Sequence, residues 1–305
     1  MGCSLVQLVA TVKRRQPKLP WSTAHVSRNV ARVDIPVTKT EGWEQWFLLS
    51  SDRHHDNAHT KHELEIRHLD QAMERSAGII DAGDLHCAMQ GKWDKRSDLT
   101  QCRPEQQNGR YIDSLVDSAV EFYRPFANNW ILMGRGNHEQ SILKRHETDL
   151  CERTVQAINT LTGSSIQAGG YGGWVIFSIK RHGSVRHFRL KYFHGAGGGG
   201  PVTRGVIQTN RMATYLPDAD IVLTGHTHDQ WLVPIARERL SRRGEVYVDE
   251  QVHCRSATYK DEYGDGHSGW HIERFGPPKP LGGWWLRFYC RDGRNDFRFE
   301  LHRTD

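Results

Sequence analysis

Short apolar runs that end in clusters of Asp, His and Asn recur along the chain. Trp43 to Leu49 empties into SSDRHHDN. GIIDAGD at 78–84 closes on Gly83 and Asp84, and Trp130 to Met133 passes through Gly134 and Gly136 into Asn137, His138 and Glu139. Asp220 to Leu223 ends in GHTH at 225–228. Runs of this length bounded by glycine predict buried strands, each holding polar side chains at its mouth. A further strand, turn and strand is predicted over YGGWVIFSIK, HG and SVRHFRLKYF, discharging into His194 and Gly195.

Helical spacing separates these strands. His59 to Ser76 carries Leu64, Leu69, Ala72 and Met73 near one face, and Gly109 to Tyr123 repeats apolar residues from Ile112 to Tyr123. Ser141 to Leu161 also reads as helical, with Thr148 as the cap of a second segment. Strand followed by helix, repeated, argues an α/β layered fold. From residue 231 onward the pattern turns to strands: Trp231 to Ala236, Glu245 to His253, Gly283 to Tyr289 and Asp296 to His302. Residues 1–40 read as an N-terminal arm or edge hairpin, 41–260 as the domain that carries the chemistry, and 261–305 as a C-terminal β-rich extension packed on the core.

Composition narrows the class. A mean hydropathy of −0.67, with no apolar run near the roughly 20 residues of a membrane span, excludes a membrane-spanning helix. MGCSLVQLVATVKRR places its charge after its apolar stretch, so no targeting segment is expected and the cytoplasm is the expected compartment. The 6 cysteines include no CxxC pair, which argues against a disulfide scaffold or a thiolate zinc site. A net charge of +5 is compatible with nucleic-acid binding without requiring it. The basic runs at 13–18 and 237–243 are expected to be solvated faces. The same bland expectation covers His55, His59 and His62 on a helix side, and Trp284 and Trp285 as packing. The glycines at 197–200 lack the Lys and Ser/Thr of a Walker loop.

The chemistry is in the strand ends. Together they supply Asp52, Asp84, Asn137 and the histidines His54, His138, His194, His226 and His228. Carboxylate, imidazole and an amide oxygen form a mixed set suited to Mn²⁺, Fe²⁺, Zn²⁺ or Mg²⁺, and the excess over four ligands suggests two ions sharing a carboxylate. Two such ions are suited to phosphate-ester hydrolysis.

The motifs DxH, GD, GNHE, HG and GHTH, in that order over residues 52–228, resemble the calcineurin-like metallophosphoesterase superfamily. Longer runs such as KYFHGAGGGGPVTRGVIQTNR and PPKPLGGWWLRF are similar to uncharacterised members encoded by phages or prophages, which implies a bacterial or phage-infected cell. The resemblance implies a four-layer α/β/β/α sandwich with two facing mixed sheets, and residues 41–260 as the metallophosphoesterase domain. It implies two divalent ions, manganese first, with Asp52, His54 and His228 on one, Asn137, His194 and His226 on the other, and Asp84 between them. His138 would be the general acid, Glu139 would orient its loop, and a hydroxide bridging the ions would attack phosphorus.

The family usually continues GD as GDxxD or GDxxN, whereas here Cys87 takes that place, with softer ligation by His86 and Cys87 as an alternative. The DRG of protein phosphatases is absent. That absence ranks a phosphoprotein lower. The resembled superfamily, whose DNA-repair exonucleases share this motif order, together with the basic chain, puts a phosphodiester, in DNA or a nucleotide, ahead of a monoester as the expected substrate. The alternative from another class is a non-catalytic, metal-stabilised module that binds nucleic acid or a partner.

Overall fold

The computed structural model describes residues 18–90, 97–98, 101–198, 200, 202–264, 266–267, 270–273, 275–292 and 295–305. All but the last residue of the basic run at 13–18, and part of the polar loop at 92–108, lie outside them.

Two mixed sheets face each other. The first has the order β1 (Ser22–Ser27), β2 (Val30–Pro36), β7 (Gly172–Arg181), β8 (Ser184–Phe193), β9 (Ile221–Thr224), β11 (Val246–Arg255) and β10 (Trp231–Leu240). The second runs β13 (Phe297–Arg303), β12 (Trp284–Cys290), β3 (Glu44–Ser50), β4 (Gly78–Asp81), β5 (Trp130–Met133) and β6 (Gln167–Ala168). In the second sheet β3, β4, β5 and β6 are parallel, and in the first β8, β9 and β11 are parallel. Parallel strands present their carboxyl ends on one edge, where open α/β sheets bind ligands.

Alternation along each strand divides the core. Phe47 and Leu49 point between the sheets with Ile80, Leu132, Phe177, Leu190, Leu223 and Phe288, while Leu48 and Ile79 point outward under helices. Those helices are α1 (His62–Glu74), α2 (Tyr111–Tyr123) and α4 (Leu150–Thr162), which lay apolar faces on the second sheet. On the opposite side α5 (Val206–Tyr215) seats Met212 against Val222. The architecture is therefore the α/β/β/α sandwich expected from the sequence. Each large side chain in these layers contributes about 1.5–3 kcal/mol by burial. Among the described residues no helix is long and apolar enough to cross a membrane.

Several elements differ from expectation for local reasons. α1 begins at His62 instead of His59, because Thr60 turns its hydroxyl onto the His54 carbonyl at 2.7 Å and holds residues 54–60 in a loop. The helical stretch read over 141–161 is two helices, with the break near the cap expected at Thr148. α3 (Asn137–His146) ends at Glu147 in the left-handed region, and Asp149, not Thr148, caps α4 by accepting the Glu152 N–H at 3.1 Å. α5 had no counterpart in the pattern, since Thr209 and Met212 are its only buried residues. The first hairpin, β1 and β2, forms one edge of the first sheet, with β2 parallel to β7 and Ala31, Val33 and Ile35 in the inter-sheet layer. β12 lies between β13 and β3 in the second sheet, with Trp284 facing inward and Trp285 outward.

Candidate metal centre

Every candidate ligand follows the carboxyl end of a strand. Asp52 and His54 leave β3, Asp84 leaves β4, Asn137 and His138 open α3 just past β5, His194 leaves β8, and His226 and His228 leave β9. The five residues Asp52, His54, Asp84, His226 and His228 have positive φ, between 48° and 77°. Non-glycine residues avoid this region, and clusters of them mark sites where the surroundings hold strained backbone in place. The supporting bonds are present. Asp52 N donates to the Gly83 carbonyl, His54 N to that of Asp84, and Thr258 Oγ1 to that of Asp52. Glycine is required where these loops touch: a Cβ on Gly136 would lie 1.9 Å from Asp84 Oδ1, and one on Gly225 2.0 Å from Ser51 Oγ.

The side chains gather in two sets. In the first, His228 Nε2 lies 3.4 Å and His54 Nε2 3.9 Å from Asp52 Oδ1, with the two imidazole nitrogens 3.2 Å apart. In the second, His194 Nε2 lies 3.1 Å from Asp84 Oδ2 and 3.0 Å from Asn137 Oδ1, which is 2.6 Å from His226 Nδ1. Asp84 links the sets, because its charge also acts on His54.

These contacts fit a cation better than they fit one another. His194 Nδ1 donates to the Ala82 carbonyl at 3.2 Å, so its neutral ring turns the Nε2 lone pair toward a carboxylate and an amide oxygen, both acceptors. Asp52 Oδ1 and His54 Nδ1 are buried without a hydrogen-bond partner. Without a cation, a proton fills the gap: burial opposes charge on His194, yet Asp84 lifts it to about 9. Burial disfavours the Asp84 anion too, but His194 and His138 hold it well below the usual carboxylate range. Burial, then His138 and His228, keeps His54 neutral, the form that ligates metals. The residues present therefore fit divalent ions.

His138 and Glu139 occupy different places. His138 Nδ1 donates to the Cys87 carbonyl, directing Nε2 to 3.7 Å from Asp84 Oδ2. Its backbone N–H, in the first turn of α3 instead of the loop expected, donates to Asp84 Oδ1 at 3.0 Å. Glu139 faces away from the ligands and accepts the N–H groups of Gly136 at 2.9 Å, His86 at 2.8 Å and Asp84 at 3.3 Å. It is a positioning residue that clamps the β4 loop to the start of α3. Burial first, then Asp84, pushes its carboxyl well above the usual range against those donors.

Other expectations need correction. His86 points away, to Thr154 Oγ1 at 3.1 Å, whereas Cys87 Sγ lies with His54 and His138 in one group and accepts from Asn57 Nδ2 at 3.3 Å. His55 is fully buried against Phe122 and Tyr123, so His55, His59 and His62 do not form a solvated helix side. The sequence reading also missed Asp56, whose carboxylate takes the N–H groups of Cys87 and Ala88 at 2.6 and 2.9 Å. It missed Arg255 as well, which donates to Thr227 Oγ1 at 2.6 Å and props the turn between His226 and His228. Asp56 carried a signal, its place in SSDRHHDN; Arg255, 27 residues beyond GHTH, carried none.

No family model matches the chain, and no curated protein matches it. Among solved structures, an uncharacterized protein from Streptococcus pneumoniae, described as a predicted phosphoesterase, is 10% identical with a TM-score of 0.31, covering 86% of this chain and 90% of that one. The anchor in the inner membrane complex of Plasmodium is 10% identical with a TM-score of 0.40, covering 86% and 89%. A protein of unknown function from Aquifex aeolicus is 13% identical with a TM-score of 0.26, covering 60% and 80%. Similarity this distant says nothing of chemistry, and the site is read from its own atoms.

Proposed function

We propose that the chain is a dinuclear metal-dependent phosphoesterase, acting on phosphodiesters ahead of monoesters. The observation that carries this reading is the convergence of lone pairs from the buried Asp52, His54, Asp84 and His194 and the half-buried Asn137, His226 and His228, with too few protons between them. Asp52, His54 and His228 would hold one ion, Asn137, His194 and His226 the other, and Asp84 would serve both. Bound there, the ions supply a nucleophile at neutral pH and neutralise charge on the phosphoryl group.

The chain's own groups do the rest. His138, its Nδ1 proton committed to the Cys87 carbonyl, carries a second proton at Nε2 as the imidazolium, beside the Asp84 carboxylate, and returns to the neutral Nδ1–H ring when it delivers that proton to the leaving oxygen. The positive end of the α3 dipole favours an anion beside Asn137, although the N–H groups of Gly136 and His138 are already taken by Glu139 and Asp84. Glu139 keeps that helix start against Asp84.

The test is turnover of a nitrophenyl phosphodiester beside its monoester by the Mn²⁺-loaded protein and by His138→Ala, with bound metal measured in both. Diester hydrolysis reduced about 10²–10⁴-fold in the variant, at unchanged metal content, is expected. Absence of turnover by metal-loaded wild type on either ester would overturn the reading in favour of a binding module.

A further inference from the structure

α3 does more than present Asn137 and His138. Asn137, Gln140, Ser141 and Lys144 recur at i, i+3, i+4 and i+7, one stripe of the helix, and these four with Arg145 and Tyr171 line an open cleft of about 510 Å³. Tyr171 comes to this cleft from outside the helix. Its hydroxyl donates to the Gly195 carbonyl at 2.9 Å and its ring stands 5.5 Å from that of His194. The cleft thus begins at a candidate ligand and ends, about 10 Å along the helix axis, at an exposed lysine and arginine. Among the described residues no acidic side chain lines it.

Cations in a last helical turn also meet the negative end of the helix dipole, and that alone accounts for the sequence Lys144, Arg145, His146. It does not account for a lysine on the stripe that carries Asn137, facing the same cleft. We infer that this cleft is a substrate subsite, in which Lys144 and Arg145 bind a second phosphate of a single-stranded nucleic acid whose neighbouring phosphodiester lies at the metal centre. Gln140 and Ser141 supply hydrogen-bonding groups between the two phosphates, and Tyr171 offers an aromatic face along the track. This inference rests on the phosphodiesterase reading. It adds that an isolated diester is a poor substrate beside a strand.

The experiment compares kcat/KM for a nitrophenyl phosphodiester with that for short single-stranded DNA and RNA oligonucleotides, using the full Mn²⁺-loaded chain and the double variant Lys144→Ala/Arg145→Ala. The expected result is a wild-type preference for oligonucleotide that falls at least about tenfold in the variant, chiefly through KM, with a salt dependence of KM shallower by one to two phosphates. DNA and RNA arms show whether the sugar matters. An unchanged preference, or none in the wild type, overturns the subsite and leaves the phosphodiesterase reading standing. If neither ester nor oligonucleotide is hydrolysed, fluorescence anisotropy of labelled oligonucleotide still decides. Binding weakened about tenfold in the variant supports the subsite without the enzyme, and equal binding removes it. Both side chains are exposed, and thermal melts of the variant check that it folds.

Discussion

Two regions of this molecule bury charge completely, a few residues apart in sequence, and treat it in opposite ways. Arg53, fully buried, donates to Glu65 Oε1 at 2.7 Å, Asp81 Oδ2 at 2.9 Å and Ser50 Oγ at 2.9 Å. Tyr123 adds a bond to Glu65, and the Tyr259 ring lies 4.9 Å from the guanidinium. Donors meet acceptors there, apart from Glu65 Oε2, which is buried without a partner. Asp52 and His54, on either side of Arg53, belong to a cluster where acceptors meet acceptors on strained backbone. Matched buried polarity holds a fold in one arrangement, and mismatched buried polarity reserves a place for something the chain does not itself contain.

Breaking the matched region should have the largest effect. Arg53→Met leaves two buried carboxylates unpaired and is expected to cost about 3–5 kcal/mol, a fall in melting temperature on the order of 10 °C, measured with chelator present so that metal plays no part. Supplying the mismatched region with its missing charge should come next. Mn²⁺ at about 100 times its Kd is expected to stabilise the wild type by about 2.7 kcal/mol over the chelated protein in calorimetry, and no shift would mean no site.

The matched region also titrates. His68 bonds the Tyr259 hydroxyl and the Asp305 carbonyl, each at 2.9 Å, and burial lowers it to about 4. Its folded value lies below the ordinary 6.5, so the unfolded chain takes up the proton first. The contribution of His68 to stability is therefore constant above 6.5 and falls between 6.5 and 4 by up to about 1.4 kcal/mol per pH unit, a share of the acid slope that His68→Gln should remove in denaturant titrations. The smallest change in stability is expected for Asp84→Asn. Removing a carboxylate from a cluster already rich in acceptors should cost under about 1 kcal/mol in chelator while abolishing the Mn²⁺-induced shift. A loss like that of Arg53→Met would erase the distinction between the regions.

The mismatched region was the more legible of the two. Asp52, Asp84, Asn137 and the GHTH histidines stand where apolar runs stop, and a polar residue at the end of a buried strand is conspicuous in any sequence. Arg53 stands in the same SDRH segment, but its partners Glu65, Asp81 and Tyr123 belong to α1, β4 and α2, and nothing local announces that an arginine between two ligands points inward. The same reason hid Asp56 and Arg255, whose work is done on backbone and side chains far along the chain. Strand positions followed from alternation and helix ends did not, because Thr60, Glu147 and Asp149 set them through individual hydrogen bonds and one left-handed residue.

The candidate ligands are also divided between the sheets: Asp52, His54, Asp84 and Asn137 follow strands of the second, and His194, His226 and His228 follow strands of the first. Mechanically, an occupied centre is a rivet through two plates otherwise held by greasy contact. Pulling Asp52 and His228 apart, 176 residues distant in sequence, would shear one sheet over the other. The force needed in single-molecule stretching between those sheets should rise when metal is present, and pulling within either sheet should not register it.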